Sequence, residues 1–338
     1  MSFFKLRKTK MLDEAVLNHK PQSIITMLLV FYLVYIIGQF ISSVIVTIPS
    51  AIWMVTYDGF IDMVKSYTEA IMAGNEDTAI FEDFINNMVL NQPSWLNLVS
   101  LLATAGVGAS AIFYCIKFEK RPLTSLGIRK KDVVKEYLLG AIIGAVMLGL
   151  TFLISFLFDS VSIKLNPNGF SLMVILFLIG FMVQGFAEEV LFRGYFMMSI
   201  ARDYKIAVAI GFTSVLFGLL HGANTGFNLL ALVNIILFGI FTGVYVFKRG
   251  DLWGVSAIHT MWNFMQGCII GSNVSGVANI PSIFVLEIKE NMSLANGGSF
   301  GLEASMSTTI VLLIAISLVF LLKTKKGEES LSDAIDFE

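Results

Sequence analysis

The chain has 338 residues, 56% of them hydrophobic and only 14% charged, with a mean hydropathy of +0.78. Soluble domains average about 25% charged residues, so this composition excludes a disordered chain, a basic nucleic-acid-binding protein and an ordinary cytosolic enzyme, and fits a polytopic membrane protein. The net charge of −2 and pI near 6.0 single out no partner; the distribution of charge along the chain says more.

Residues 1–20, MSFFKLRKTKMLDEAVLNHK, are basic. The apolar run behind them exceeds the about 7–15 residues of a signal-peptide core, and no A-x-A-like site closes it, so it reads as a retained span. Segments of membrane-helix length and polarity follow at 23–48, 95–117, 137–158, 170–201, 206–221, 228–247, 252–271 and 307–322. Pro49 is placed to kink or end the first, the last turns of the fourth are expected to emerge into the interface, and the last span is short. In the 57–92 connection Asp58, Asp62, Glu69, Glu76, Asp77, Glu82 and Asp83 oppose Lys65 alone, and its apolar residues suggest short helices outside the bilayer. The 272–306 connection is rich in Gly, Ser and Asn and reads as a mobile loop. Gly140 with Gly144, and Gly239 with Gly243, put two glycines on one helix face, which permits close approach of a neighbour. Cys115 and Cys268 lie in apolar runs and read as small buried hydrophobes rather than a disulfide or a CxxC pair.

With the N-terminus in the cytoplasm and eight crossings, 20 of the 23 Lys and Arg residues fall inside, and only Lys65, Lys164 and Lys289 fall outside. The fold class expected is therefore all-α, a polytopic membrane bundle of about eight transmembrane helices with both termini and the 118–136 loop cytoplasmic. The chain divides into a cytoplasmic segment, 1–22; two spans with an acidic extracytoplasmic insertion (57–92) and a basic cytoplasmic loop (118–136), 23–136; a helical core, 137–271; and an outer loop, last span and cytoplasmic tail, 272–338. A multi-pass protein of the plasma membrane is expected, with the lipid bilayer and no nucleic acid as partner.

Ionisable groups in lipid are costly and need a reason. Here they are Glu188, Glu189, Arg193, His221 and His259, and two of the three histidines of the chain are among them. Glu189 and Arg193 are four apart with the acid N-terminal, so they share a face and can neutralise one another. Glu188 lies about 100° around the helix with no charged partner four residues away. Phe217 and His221, and likewise His259 and Asn263, are at i and i+4. At about 1.5 Å per residue, Glu188 and His221 each lie about 22 Å from the cytoplasmic side and His259 and Asn263 about 10–16 Å. The groups can converge at one level, with a cavity open to the cytoplasm supplying water. A carboxylate beside a histidine can hold and deprotonate water, and a second histidine with an asparagine amide can stabilise the oxyanion of amide hydrolysis. Burial is expected to raise the Glu188 carboxyl toward the range of a base near neutral pH. Glu188, His221 and His259 also form a His₂Glu zinc set with an open fourth position, although no HExxH is present.

Glu188-Glu189-x-x-x-Arg193, Phe217-x-x-x-His221 and His259-x-x-x-Asn263 resemble the three motifs of the CPBP family, the CAAX proteases and bacteriocin-processing enzymes also called Abi, whose members are intramembrane endopeptidases. The motifs run in order over about 170–270, and Arg121-Pro-Leu-Thr-Ser-Leu-Gly-Ile-Arg129 is similar to the family's preceding loop. The resemblance implies that 137–271 is the catalytic core. It also implies that Glu188 and His221 activate water, that His259 and Asn263 form the oxyanion hole, and that Glu189 and Arg193, with Phe217, support the site. The substrate expected is a membrane-associated or lipidated peptide or protein. The family leaves open whether zinc takes part; the metal-free scheme, with no cofactor, is preferred because Asn263 shares a helix face with His259, as a donor pair should. Two other classes compete: a non-catalytic bacteriocin self-immunity or peptide-binding protein, and a proton-coupled transporter using Glu188 as a relay.

Overall fold

The computed structural model describes residues 6, 8–17, 20–73 and 79–325. Both chain ends and Lys5, Arg7, Glu76, Asp77 and Lys326 of the charge count lie outside the described residues. A short helix α1 (Lys10–Val16), started by the Thr9 hydroxyl accepting the Leu12 N–H, precedes α2 (Ile24–Thr56). At about 1.5 Å per residue α2 is near 50 Å long, well beyond a hydrocarbon core of about 30 Å. It continues past Pro49 instead of ending there, because a membrane helix tolerates the one backbone bond that proline removes. Its exposed Ile25, Leu29, Ile36, Phe40 and Ile48 form a lipid-facing stripe. The acidic insertion then forms α3 (Phe60–Met72) and α4 (Ala79–Leu90), the short helices expected, joined by the stacked rings of Tyr67 and Phe81 with centroids 4.2 Å apart.

The rest of the bundle is α5 (Ser94–Ala103) with α6 (Ala105–Lys117), α7 (Val133–Leu157), and α8 (Leu172–Glu189), which continues through a π-helical stretch, Val190–Met197, into α9 (Met198–Ala201). Then come α10 (Ile206–Leu220), α11 (Leu229–Arg249), α12 (Trp253–Phe264) with a second π-helical stretch (Met265–Ile270), α13 (Ser293–Asn296) and α14 (Met306–Leu321). The fold is thus an all-α membrane bundle with one two-stranded sheet, β1 (Val161–Leu165) antiparallel to β2 (Phe284–Ile288). Among the described residues five stretches are long and apolar enough to cross a bilayer: Ile24–Thr56, Ser94–Lys117, Val133–Leu157, Leu172–Ala201 and Leu229–Arg249. Ile206–Leu220 and Met306–Leu321 are shorter apolar helices.

Between helices in lipid there is little hydrophobic driving force, so close van der Waals packing on small residues sets the arrangement. Gly140 and Gly144 of α7 lie against the backbone of Gly254 and Ile258 of α12, with no room for a Cβ. Gly239 of α11 packs on Ser214 of α10, where a Cβ would come within 2.8 Å of the Ser214 Cβ. Gly185 of α8 faces Ser256 and Thr260 of α12. Both sequence glycine pairs therefore lie at helix contacts, and those contacts hold the helices bearing His221 and His259.

The 272–306 connection is ordered rather than mobile. It contributes β2 and α13, buries Phe300 and Leu302, and is tied down by Asn296, whose amide donates to the carbonyls of Ser160 (3.1 Å) and Lys289 (2.9 Å). Its glycines serve turns: Gly301 has φ 114° and faces the Asn273 carbonyl, a place no side chain can occupy. Composition suggested flexibility, but these Gly, Ser and Asn residues supply tight turns and satisfy backbone groups.

The two ends of the bundle differ in charge. At one end Glu119 accepts from Arg121 (3.0 Å) and Arg202 (2.6 Å), and buried Glu136 accepts from Arg249 (2.6 Å) and Lys325 (2.8 Å). The segments 117–136, 199–205, 248–253 and 323–325 meet there. At the other end Asn224 donates to the Ser275 carbonyl (2.9 Å), Asn166 to the Ser282 carbonyl (2.9 Å) and Lys289 to Asp159 (2.5 Å).

Asp251, in the turn before α12, accepts the N–H groups of Trp253 and Gly254 at 3.0 and 3.3 Å. Burial, reinforced by the charge of Glu136, pushes its carboxyl up to about 6. Against an unfolded value near 3.9, a raised acid binds its proton more tightly in the native state. Its contribution is fully present below about pH 4 and is lost as pH rises to about 6, by up to ~1.4 kcal/mol per unit. Asp251→Asn keeps the cap and is expected to remove this component. Melting temperatures in detergent from pH 4 to 6.5 check it: the gap between variant and wild type should widen in the variant's favour as pH rises.

Candidate active site

Three helices, α8 with its π-helical continuation, α10 and α12, deliver the polar residues singled out by the sequence, and the small-residue contacts described above bring them together. Glu189, fully buried, is the hub. Its Oε1 accepts from Nδ1–H of His259 at 3.0 Å, and its Oε2 lies 3.2 Å from Nε of Arg193. The expected ion pair between Glu189 and Arg193 is present, and Glu189 also fixes the ring of His259 from the neighbouring helix α12. Arg193 is buried, with its guanidinium over the ring of Phe217, 4.6 Å from the centroid. That ring also stands edge-on to His221 (4.7 Å) and to His259 (6.2 Å), so Phe217 fills the space among the three polar side chains.

Glu188 points elsewhere. Its Oε1 accepts from the amide of Gln184 at 3.1 Å, while its Oε2 lies 3.8 Å from Nε2 of His259 and accepts no hydrogen bond from a described residue. Gln184 also accepts, through Oε1, from Nδ2 of Asn263 at 3.2 Å. It therefore bridges Glu188 and Asn263. The sequence reading missed Gln184, although its place four residues before Glu188, on the same helix face, was the available signal. Asn263 and His259 share a face of α12 and are both buried.

His221 ends α10, and its Nδ1–H donates to the Phe217 carbonyl at 2.7 Å, which leaves Nε2 as the acceptor nitrogen. His221, Glu188, His259, Asn263 and Gln184 all line one cavity of about 460 Å³. A second residue outside the sequence set, Glu303, lines a small void of about 30 Å³ with His221, His259 and Asn263. Its Oε1 accepts from the Ser275 N–H and from Gln266 Nε2, the latter at 3.3 Å, and burial pushes its carboxyl up. It comes from the connection that composition marked as mobile, which is why the sequence concealed it.

Both motif glutamates adjoin a π-helical turn, and Asn263 is followed by another. Such turns alter the helical register and often occur at functional sites. The donor types of Glu188, His221 and His259 would suit zinc. Yet no three His, Cys, Asp or Glu side chains are grouped closely enough to hold a metal among the described residues.

No curated protein and no solved structure matches the chain. Residues 170–265, the stretch from α8 to the end of α12 that carries all three motifs, match the family model for type II CAAX prenyl endopeptidase Rce1-like proteins. This part of the chain is thus similar to the Rce1-like domains of CPBP proteases.

Proposed function

We propose that this integral membrane protein is an intramembrane endopeptidase that hydrolyses a peptide bond of a membrane-associated peptide or protein. The observation that carries the reading is Glu188: a carboxylate with one oxygen held by Gln184 and the other 3.8 Å from Nε2 of His259, in the lining of a cavity shared with His221 and Asn263. In this reading a water bound between Glu188 and Nε2 of His221 attacks the scissile carbonyl carbon and gives its proton to Glu188. The carbonyl oxygen becomes an oxyanion, accepting from Nε2–H of His259 and Nδ2–H of Asn263. The proton held by Glu188 then passes to the leaving amine as the carbon–nitrogen bond breaks. His259 with a proton on each nitrogen is flanked by the Glu188 and Glu189 carboxylates, which offset its charge. Because the ring can turn neither away from Glu189 nor past Phe217, the donor is fixed before substrate arrives. The test is a mass-spectrometric inventory of membrane-associated peptides from cells carrying the wild type or Glu188→Ala. New termini confined to the wild type support the reading, and identical inventories refute it.

Asn263→Ala is expected to slow turnover by about 10²–10³-fold, the usual effect of removing one oxyanion donor, with KM little changed. A loss of affinity at unchanged kcat would assign Asn263 to substrate binding instead.

A zinc-dependent version of the same reaction is the second reading. It is favoured by the two histidines, each of which has Nδ1 tied to an oxygen acceptor and Nε2 left for other use, the arrangement that orients metal-ligating imidazoles. Elemental analysis of protein purified without chelator separates the two. The metal-free scheme predicts no stoichiometric zinc; zinc at one per chain that is lost in both His221→Ala and His259→Ala would overturn it.

A further inference from the structure

The cavity that holds the site is built almost entirely from one end of the bundle. From Glu188 it runs past Tyr35 and Gln39 of α2, past Ser100 and Asn97 of α5 and Thr104 between α5 and α6, and it reaches Asn224, Val277 and Ile280 in the connections at the end away from the Glu119 and Glu136 networks. Exposed Gln39 and Val277 mark its rim. None of the described residues of 117–136, 193–205 or 244–253 lines it.

On the other side the site is closed. Phe31, Phe192 and Phe196 are buried, with the Phe31 ring stacked on Phe196 (4.2 Å) and tilted against Phe192 (5.5 Å). Buried Arg193, Tyr195 and Met197 fill the next layer, and below them lies the basic network of Glu119, Arg121 and Arg202. The end so closed is the one that carries the Lys and Arg residues, which positive-inside bias assigns to the cytoplasm. Glu188 is then reached from the extracytoplasmic side or from the outer leaflet at the level of Gln39, and a cavity open to the cytoplasm is not what these residues form.

We infer that the substrate enters from the extracytoplasmic side, as an exported peptide or an outward-facing protein segment, and not as the lipidated C-terminus of a cytoplasmic protein. This rests on the peptidase reading for its chemistry but not for its geometry. The lining suits such an occupant. Gln39, Asn97, Thr104 and Asn224 offer hydrogen-bonding groups along the cavity, and Leu101, Phe177 and Phe181 add apolar lining. An extended peptide with polar backbone and alternating apolar side chains matches both.

Cysteine accessibility in intact cells tests this without requiring turnover, so its failure is distinguishable from failure of the peptidase reading. Native Cys115 and Cys268 are fully buried, which keeps the background low. A membrane-impermeant maleimide is expected to label Val277→Cys at the rim and Thr104→Cys inside the cavity in intact cells. Lys131→Cys, exposed at the basic end, should react only after permeabilisation. Gln39→Cys serves as a second cavity position should Thr104→Cys fail to accumulate. Labelling of the cavity cysteines only after permeabilisation, or in neither condition, overturns the inference, as does labelling of Lys131→Cys in intact cells.

Discussion

Glu189→Gln is expected to cost about 3–5 kcal/mol of stability, the range found when one partner of a buried ion pair is removed. Arg193 is 1% exposed, its Nη1 and Nη2 find no acceptor among the described residues, and its Nε faces Glu189 at 3.2 Å. With the carboxylate gone, the guanidinium keeps the ring of Phe217 and little else to offset its burial. The same change weakens the bond that orients His259, so cleavage should fall together with stability. The loss should appear as poor accumulation and a lowered melting temperature in detergent. Replacing the pair together, Glu189→Gln with Arg193→Met, removes the uncompensated charge and is expected to recover part of the stability but none of the activity. A single variant that melts with the wild type would show that Glu189 does not carry Arg193.

The polar residues of the site were legible in the sequence because lipid makes them conspicuous. Glu188, Glu189, Arg193, His221 and His259 each stand out in an apolar run, and helical spacing alone paired Glu189 with Arg193 and put Asn263 beside His259. The glycine pairs were legible for the same reason, since small residues at i and i+4 imply a close neighbour. What spacing cannot give is which helices meet. That Glu189 also binds His259, that Phe217 lies over Arg193, and that Gln184 joins Glu188 to Asn263 are contacts between α8, α10 and α12 or within a face that charge counting ignores. The 272–306 connection misled because Gly, Ser and Asn are common both to flexible linkers and to tightly capped turns. Only the packing of Phe300, the Asn296 hydrogen bonds and the burial of Glu303 distinguish the two. Depth along each helix likewise locates a side chain but not which end of the bundle is filled.

The central claim is that Glu188 does chemistry while Glu189 holds structure, and it is tested most directly by the cleavage rate and melting temperature of purified Glu188→Gln, measured side by side on a substrate identified from the peptide inventory. Glutamine keeps the shape of the side chain and its hydrogen bond to Gln184, and Glu188 is partly open to the cavity, so the variant should melt close to the wild type. It cannot accept a proton from water, and loss of a general base costs about 10²–10⁴-fold in rate. Cleavage reduced by that factor at an unchanged melting temperature is the predicted result; wild-type cleavage by Glu188→Gln would contradict the account.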